Sequence, residues 1–162
     1  MIKNITVAPR TRVRHVGMLD VAEFYRWIQL WLDFNGYWAN TNEVQYIETM
    51  LPDGSKKIEF NWECRKKRSD DFTYLITLEA IYVGVKNVEI QKDEKKIKIQ
   101  KGDFDMNFSA ILEKKLPDNF PYFIELYERF IIRKRIEEYK LDLYGKFYSL
   151  IEETKEFLDV YV

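Results

Sequence analysis

The sequence predicts an α+β domain: a curved antiparallel sheet of about seven strands wrapped around a long C-terminal helix, with one helix inserted after strand one. Three observations predict it. Apolar and polar residues alternate through a series of strand-length segments across residues 43–112, the period of a sheet with one dry and one wet face. The period turns helical after "LPDNFP" (116–121) and stays so to about residue 160. A broad aromatic helical pattern at 20–36 separates the first alternating segment from the rest. The two helical regions are the only covers available for the dry face.

Residues 1–16 read as the first strand. Ile5, Val7 and Val13 share a face with His15, and Asn4, Thr6, Arg10, Arg12 and Arg14 share the other. Pro9 favours an edge position, or a bulge or break at that point. The helix at 20–36 opens with Asp20 as N-cap and Glu23 three residues on, and closes near Gly36, a natural residue for a helix end. Val21, Phe24, Tyr25, Trp27, Ile28, Trp31, Leu32 and Phe34 cover roughly half its circumference, wider than the usual stripe of about 100°. Such a helix is expected to touch two buried surfaces.

Six further strand segments follow, at 43–50, 56–66, 72–83, 85–91, 96–101 and 103–112. "PDG" (52–54) supplies the first hairpin turn and "KDEK" the second. The inward set includes Tyr46, Glu48, Ile58, Phe60, Trp62, Cys64, Tyr74, Ile76, Tyr82, Phe104, Met106 and Phe108. Residues 120–160 are helical, with Phe120, Phe123, Ile124, Tyr127, Phe130 and Ile131 as one apolar stripe and Leu143, Phe147, Leu150, Ile151 and Leu158 as another. Whether these are one helix or two that bend near Tyr139–Gly145 is left open by the pattern. No repeat or linker divides the chain, so residues 1–162 read as a single domain.

The order strand, helix, strands, long C-terminal helix resembles the helix-grip fold of START-like domains. The resemblance covers nearly the whole chain and is carried by element order, without a sequence motif. It implies a sheet that clasps the C-terminal helix, strand one paired with the last strand, and a cavity between sheet and helices.

Composition excludes several classes. Twenty-six basic and 27 acidic residues leave a net charge of −1, which argues against a dedicated nucleic-acid site. Cys64 is the single cysteine, so no internal disulfide can form and no oxidising compartment is needed. The opening "MIKNITVAPRTRVRH" has no apolar core of a secretory signal. No apolar run is long enough to span a bilayer, and Arg26, Gln29 and Asp33 interrupt the aromatic helix. A cytoplasmic, non-transmembrane protein is the expectation.

Candidates for chemistry are few. His15 could serve as general base or metal ligand, or as a hydrogen-bonded, half-buried imidazole. With one histidine and one cysteine, no metal site or cofactor is expected. Glu48, if buried, would have a raised pKa and could anchor a ligand or act in acid–base chemistry; at a strand end it would simply reach water. Tyr46, Trp62, Tyr74 and Tyr82 bring polar tips to the dry face and need partners there. Arg10, Arg12 and Arg14 could bind phosphate, or pair with Asp103 and Asp105 on the last strand. Leu75, Ile81 and Val83, with Ile47 and Ile111, put apolar surface on the outer face.

The leading functional expectation is non-catalytic binding of an apolar or amphipathic small molecule, lined by Trp31, Tyr46, Glu48, Trp62, Tyr74, Tyr82 and His15. The alternative is a protein-interaction or homo-oligomerisation module with a filled core, a homodimer through Leu75, Ile81 and Val83 or through helix 141–161. A third reading, an enzyme of the cyclase or hydratase type, would use Glu48 and His15.

Overall fold

The computed structural model describes residues 2–38, 41–115, 129 and 132–161. The first half of the expected C-terminal helical region, 120–131, lies almost wholly outside them. The described elements are β1 (Ile2–Leu19), α1 (Val21–Phe34), β2 (Thr41–Met50), β3 (Lys56–Lys67), β4 (Phe72–Lys92), β5 (Lys95–Lys115) and α2 (Arg133–Asp159). The class is α+β, with an open antiparallel sheet of order β1-β5-β4-β3-β2. From β2 to β5 the chain meanders, and β1 closes onto the far side of β5, the pairing the element order implies.

The sheet has five strands, not seven. Segments 72–83 and 85–91 belong to one strand, and so do 96–101 and 103–112. The sequence breaks them at Gly84 and Gly102, where the backbone bends without ending the ladder. Val83 pairs with Asp103 and Lys86 with Lys101, so β4 carries one extra residue, a bulge, at this point. Gly84 has φ +67°, which side-chain-bearing residues rarely adopt. Gly102 pairs with Gly17 of β1. The three glycines therefore line up across three strands. Beyond this row β3 has ended at Lys56, opposite Val85, and residues 86–101 continue as a two-stranded arm with the end of β1 at its base.

β1 also runs further than expected, to Leu19, and carries two bulges around Pro9. The first shifts the parity. Ala8, not Val7, takes the fully buried position, and the second bulge restores the phase so that Val13 and His15 again face inward.

α1 is capped by Asp20, whose side chain accepts a hydrogen bond from the Glu23 N–H at 3.1 Å. Its deeply buried face is Phe24, Ile28 and Leu32. The flanking aromatics explain the broad apolar arc. Tyr25 meets Trp62 of the sheet edge-on at 5.0 Å, and Trp27 stacks on Phe157 of α2 at 5.2 Å. α1 thus touches sheet and helix together.

α2 is one continuous helix through Tyr139 and Gly145. It buries Leu143, Phe147, Leu150, Ile151, Thr154 and Leu158, one face at helical spacing, against β1 and β5. The sheet contributes Phe60, Trp62, Cys64, Ile76, Leu78, Tyr82, Phe104, Met106 and Phe108 to the same core. Among the described residues no helix is long and apolar enough to cross a membrane.

On the outer face, Arg12 grips the Asp105 carboxylate with three hydrogen bonds of 2.6–3.0 Å, and Arg14 grips Asp103 with two of 2.6 and 3.0 Å. Both pairs run diagonally, since Arg14 lies directly opposite Asp105. Arg10 reaches Glu79 at 3.0 Å. Leu75 is withdrawn from this face: it is only 5% exposed. It stands between Arg65 and Ile111, and the Arg65–Glu113 ion pair at 2.8 Å bridges β3 to β5 across its strand. Ile47, Ile81 and Val83 remain exposed.

Candidate functional site

The bend at the glycine row opens a groove on the inner side of the sheet. Its volume is about 1040 Å³. One wall is the first half of α1, with Val21, Ala22, Tyr25, Arg26 and Gln29; the other is the β2–β3 hairpin, with Glu48, Asp53, Gly54, Lys56 and Ile58; Val85, Lys86, Asn87 and Gln100 close the end beside the arm. The bulge at Gly84 is what turns Val85 inward, next to the end of β3.

Its polar groups are held in place. Gln100 accepts from the Val21 N–H and donates to the Asn87 side-chain oxygen, both at 3.1 Å. Asp53 Oδ1 accepts from the Ser55 N–H at 3.0 Å and from its hydroxyl at 2.6 Å. These bonds pull the Asp53 carboxyl below its usual pKa and fix the turn around Gly54. Lys56 Nζ lies 2.8 Å from Glu48. The hydrogen bond and charge of Lys56 hold the Glu48 pKa below its ordinary value. Of the two readings of Glu48, this is the strand-end one that reaches water: β2 is an edge strand, and Glu48 sits in a wet rim. Arg26, exposed on α1, has no carboxylate partner among the described residues.

Of the seven residues singled out from sequence, Glu48 alone lines this groove. Tyr46 faces the same side as Phe60, its cross-strand partner, yet is 55% exposed, because neither described helix covers the edge strand at that point. Its hydroxyl lies 3.4 Å from Glu48. Trp62 and Tyr82 are buried core. They back the groove from below: Trp62 carries Tyr25 on its ring, and Tyr82 pairs with Ile58. Tyr74 is buried too and donates its hydroxyl to Asp142 of α2 at 2.9 Å. Trp31 lies in the α1–α2 cleft, where its indole N–H donates to Glu153.

His15 is buried beside Phe104, with Nε2 at 2.7 Å from the Met18 carbonyl oxygen. It sits on β1 and Glu48 on β2, the opposite edges of the sheet, about 19 Å apart along the sheet at ordinary strand spacing. They cannot act on one atom across that span. Cys64 is buried, and burial pushes its thiol up to about 11, so it packs as a small apolar side chain.

The sequence pattern gave no direct sign of Arg26, Gln29, Lys86, Asn87 and Gln100 as groove residues. Their only signal was indirect: the glycines at 84 and 102, which mark where the sheet turns. Chemically, the groove offers an apolar floor of Val21, Ile58 and Val85, a tyrosine edge, and a rim of fixed charges. Comparison of the chain with family models, curated proteins and solved structures finds no significant match.

Proposed function

We propose that the groove between α1 and the bent sheet binds an apolar or amphipathic small molecule without transforming it. The observation that carries this reading is its size and lining together. A space of about 1040 Å³ stands at the upper end of ordinary ligand pockets of roughly 300–1,000 Å³. Val21, Ile58 and Val85 would take the apolar part. The Glu48–Lys56 pair, Gln29 and Arg26 would meet a polar end at the rim. Trp62 and Tyr82 act as a rigid base.

Native mass spectrometry of the purified chain tests it, together with titration of a fluorescent acyl probe. Co-purified mass in the lipid range and saturable probe binding are expected, with binding lost in Ile58→Glu and retained in Thr6→Glu on the outer face. Probe binding unchanged by Ile58→Glu in a folded protein would refute the assignment.

A second reading, an interaction module, draws on the packed core and on exposed Ile47, Ile81 and Val83. Light scattering separates the two, since a dimer through that face would grow with concentration and dissolve in Ile81→Lys.

A further inference from the structure

A different surface lies between α1 and α2. Leu30 is 67% exposed and Phe34, one turn on, 91%. With Trp27, Trp31 and Phe157 they line a cleft of about 510 Å³ whose remaining walls are Glu153 and Glu156. Side chains this apolar rarely stand in water in a row without a use. The aromatic floor is stiff. Trp27 stacks on Phe157, Phe24 tilts against the same ring at 5.6 Å, and Trp31 is held by Glu153.

We infer that this cleft docks a basic amphipathic peptide segment of a partner protein. Charge decides the partner. Glu153 and Glu156 have no basic partner among the described residues, and exposed Glu152 and Asp33 stand on the same two helices. Lys146 is drawn to the end of α1, where it donates to Asn35 at 3.3 Å. Lys155 is the other basic side chain on this stretch of α2. Around the apolar strip Asp33, Glu152, Glu153 and Glu156 outnumber Lys146, Lys155 and Arg26, the last one turn before Leu30 on α1. A lysine or arginine on the partner could lay its stem along Leu30 and Phe34, its charge meeting the carboxylates and the indole faces. A leucine or phenylalanine one turn away would fill the cleft, the usual helix-in-groove arrangement. A second copy of this chain presenting the same strip would bring carboxylates against carboxylates, which disfavours self-pairing there.

The test uses two synthetic peptides with leucines at helical spacing, one with lysine and one with glutamate at the polar positions. Each is labelled and titrated into the full chain by fluorescence anisotropy at low and high salt. The lysine peptide should bind, and the glutamate peptide should not. Leu30→Ser/Phe34→Ser should weaken binding at least about tenfold. Glu153→Gln/Glu156→Gln should weaken it and flatten its salt dependence. These positions are exposed, so the variants should keep the parent circular dichroism. Equal binding of both peptides, or parent-like affinity in the Leu30/Phe34 variant, would overturn the inference. So would a concentration-dependent dimer abolished by Phe34→Ser, since the occupant would then be a second copy.

Discussion

Gly102 and Val85 approach each other so closely that a β-carbon on Gly102 would stand 3.3 Å from Val85 Cα and 3.1 Å from the Val83 carbonyl oxygen. Both are backbone atoms held in the sheet, so neither yields easily. Gly102→Ala should cost about 1–3 kcal/mol of stability, as overpacking does, read as a lower urea midpoint. Probe binding in the groove should fall as well, because the bend that opens it depends on this contact. A variant of parent stability would show that the ladder relaxes there freely.

The β4–β5 turn is strained in a correctable way. Asp93 and Glu94 both have positive φ, 52° and 64°, the backbone of a hairpin turn that prefers Asp-Gly. Glu94→Gly should stabilise the protein by about 0.5–1 kcal/mol. Thermal melting reads this directly. Destabilisation would mean that the lost side chain, not the backbone, dominates.

Phe147 is fully buried in α2 and plugs the sheet. Phe147→Ala should cost about 3–5 kcal/mol and leave a protein that binds hydrophobic dyes diffusely. A small loss would mean that α2 is a dispensable cover.

Alkali should unfold the protein by a defined route. Burial, first among the causes, raises the pKa of Tyr37, Tyr74 and Tyr82 above the ordinary 10.0. Unfolded phenols lose their protons near pH 10 while the folded ones keep theirs. The unfolded state therefore binds fewer protons, and stability falls as pH rises through this window. Tyrosinate absorbance should appear late and cooperatively with unfolding. Tyr82→Phe should move the onset to higher pH.

The acid limb has the opposite sign. Asp103 is lowered chiefly by its hydrogen bond to Arg14, and Glu48 by Lys56. Each contributes stability above its unfolded value, 3.8 for Asp103 and 4.5 for Glu48. That contribution is lost as pH falls through the lower folded value. Unfolding titrations should show a decline below about pH 4, and Asp103→Asn should blunt it.

Strand phase was largely legible because alternation reports which face is dry. The inward set from Ile58 to Phe108 is the observed core, and the Arg–Asp pairing followed from placing β1 beside β5. Strand count was less legible. A glycine reads as a break, and only the ladder shows that Gly84 and Gly102 bend strands that continue. The site was hardly legible at all. Aromatic residues such as Trp62 and Tyr82 carry the same signal whether they fill a core or line a cavity. The groove is made instead by polar residues brought together by a turn, a helix start and a bulge, and local patterning does not encode that meeting. Tyr46 shows the remaining gap: its parity was right, and its burial depended on whether a helix reached the edge of the sheet.

The pairing of Ile2 with Lys115 has a bearing on how the chain matures. A nascent chain must wait for residues 100–115 to leave the ribosome before its first strand is fully paired. Trp27 and Trp31 wait longer still, because their partners Phe157 and Glu153 lie in α2. Synthesis of this protein should be slow to yield native chains, and chaperones should engage it early, before its middle third has emerged.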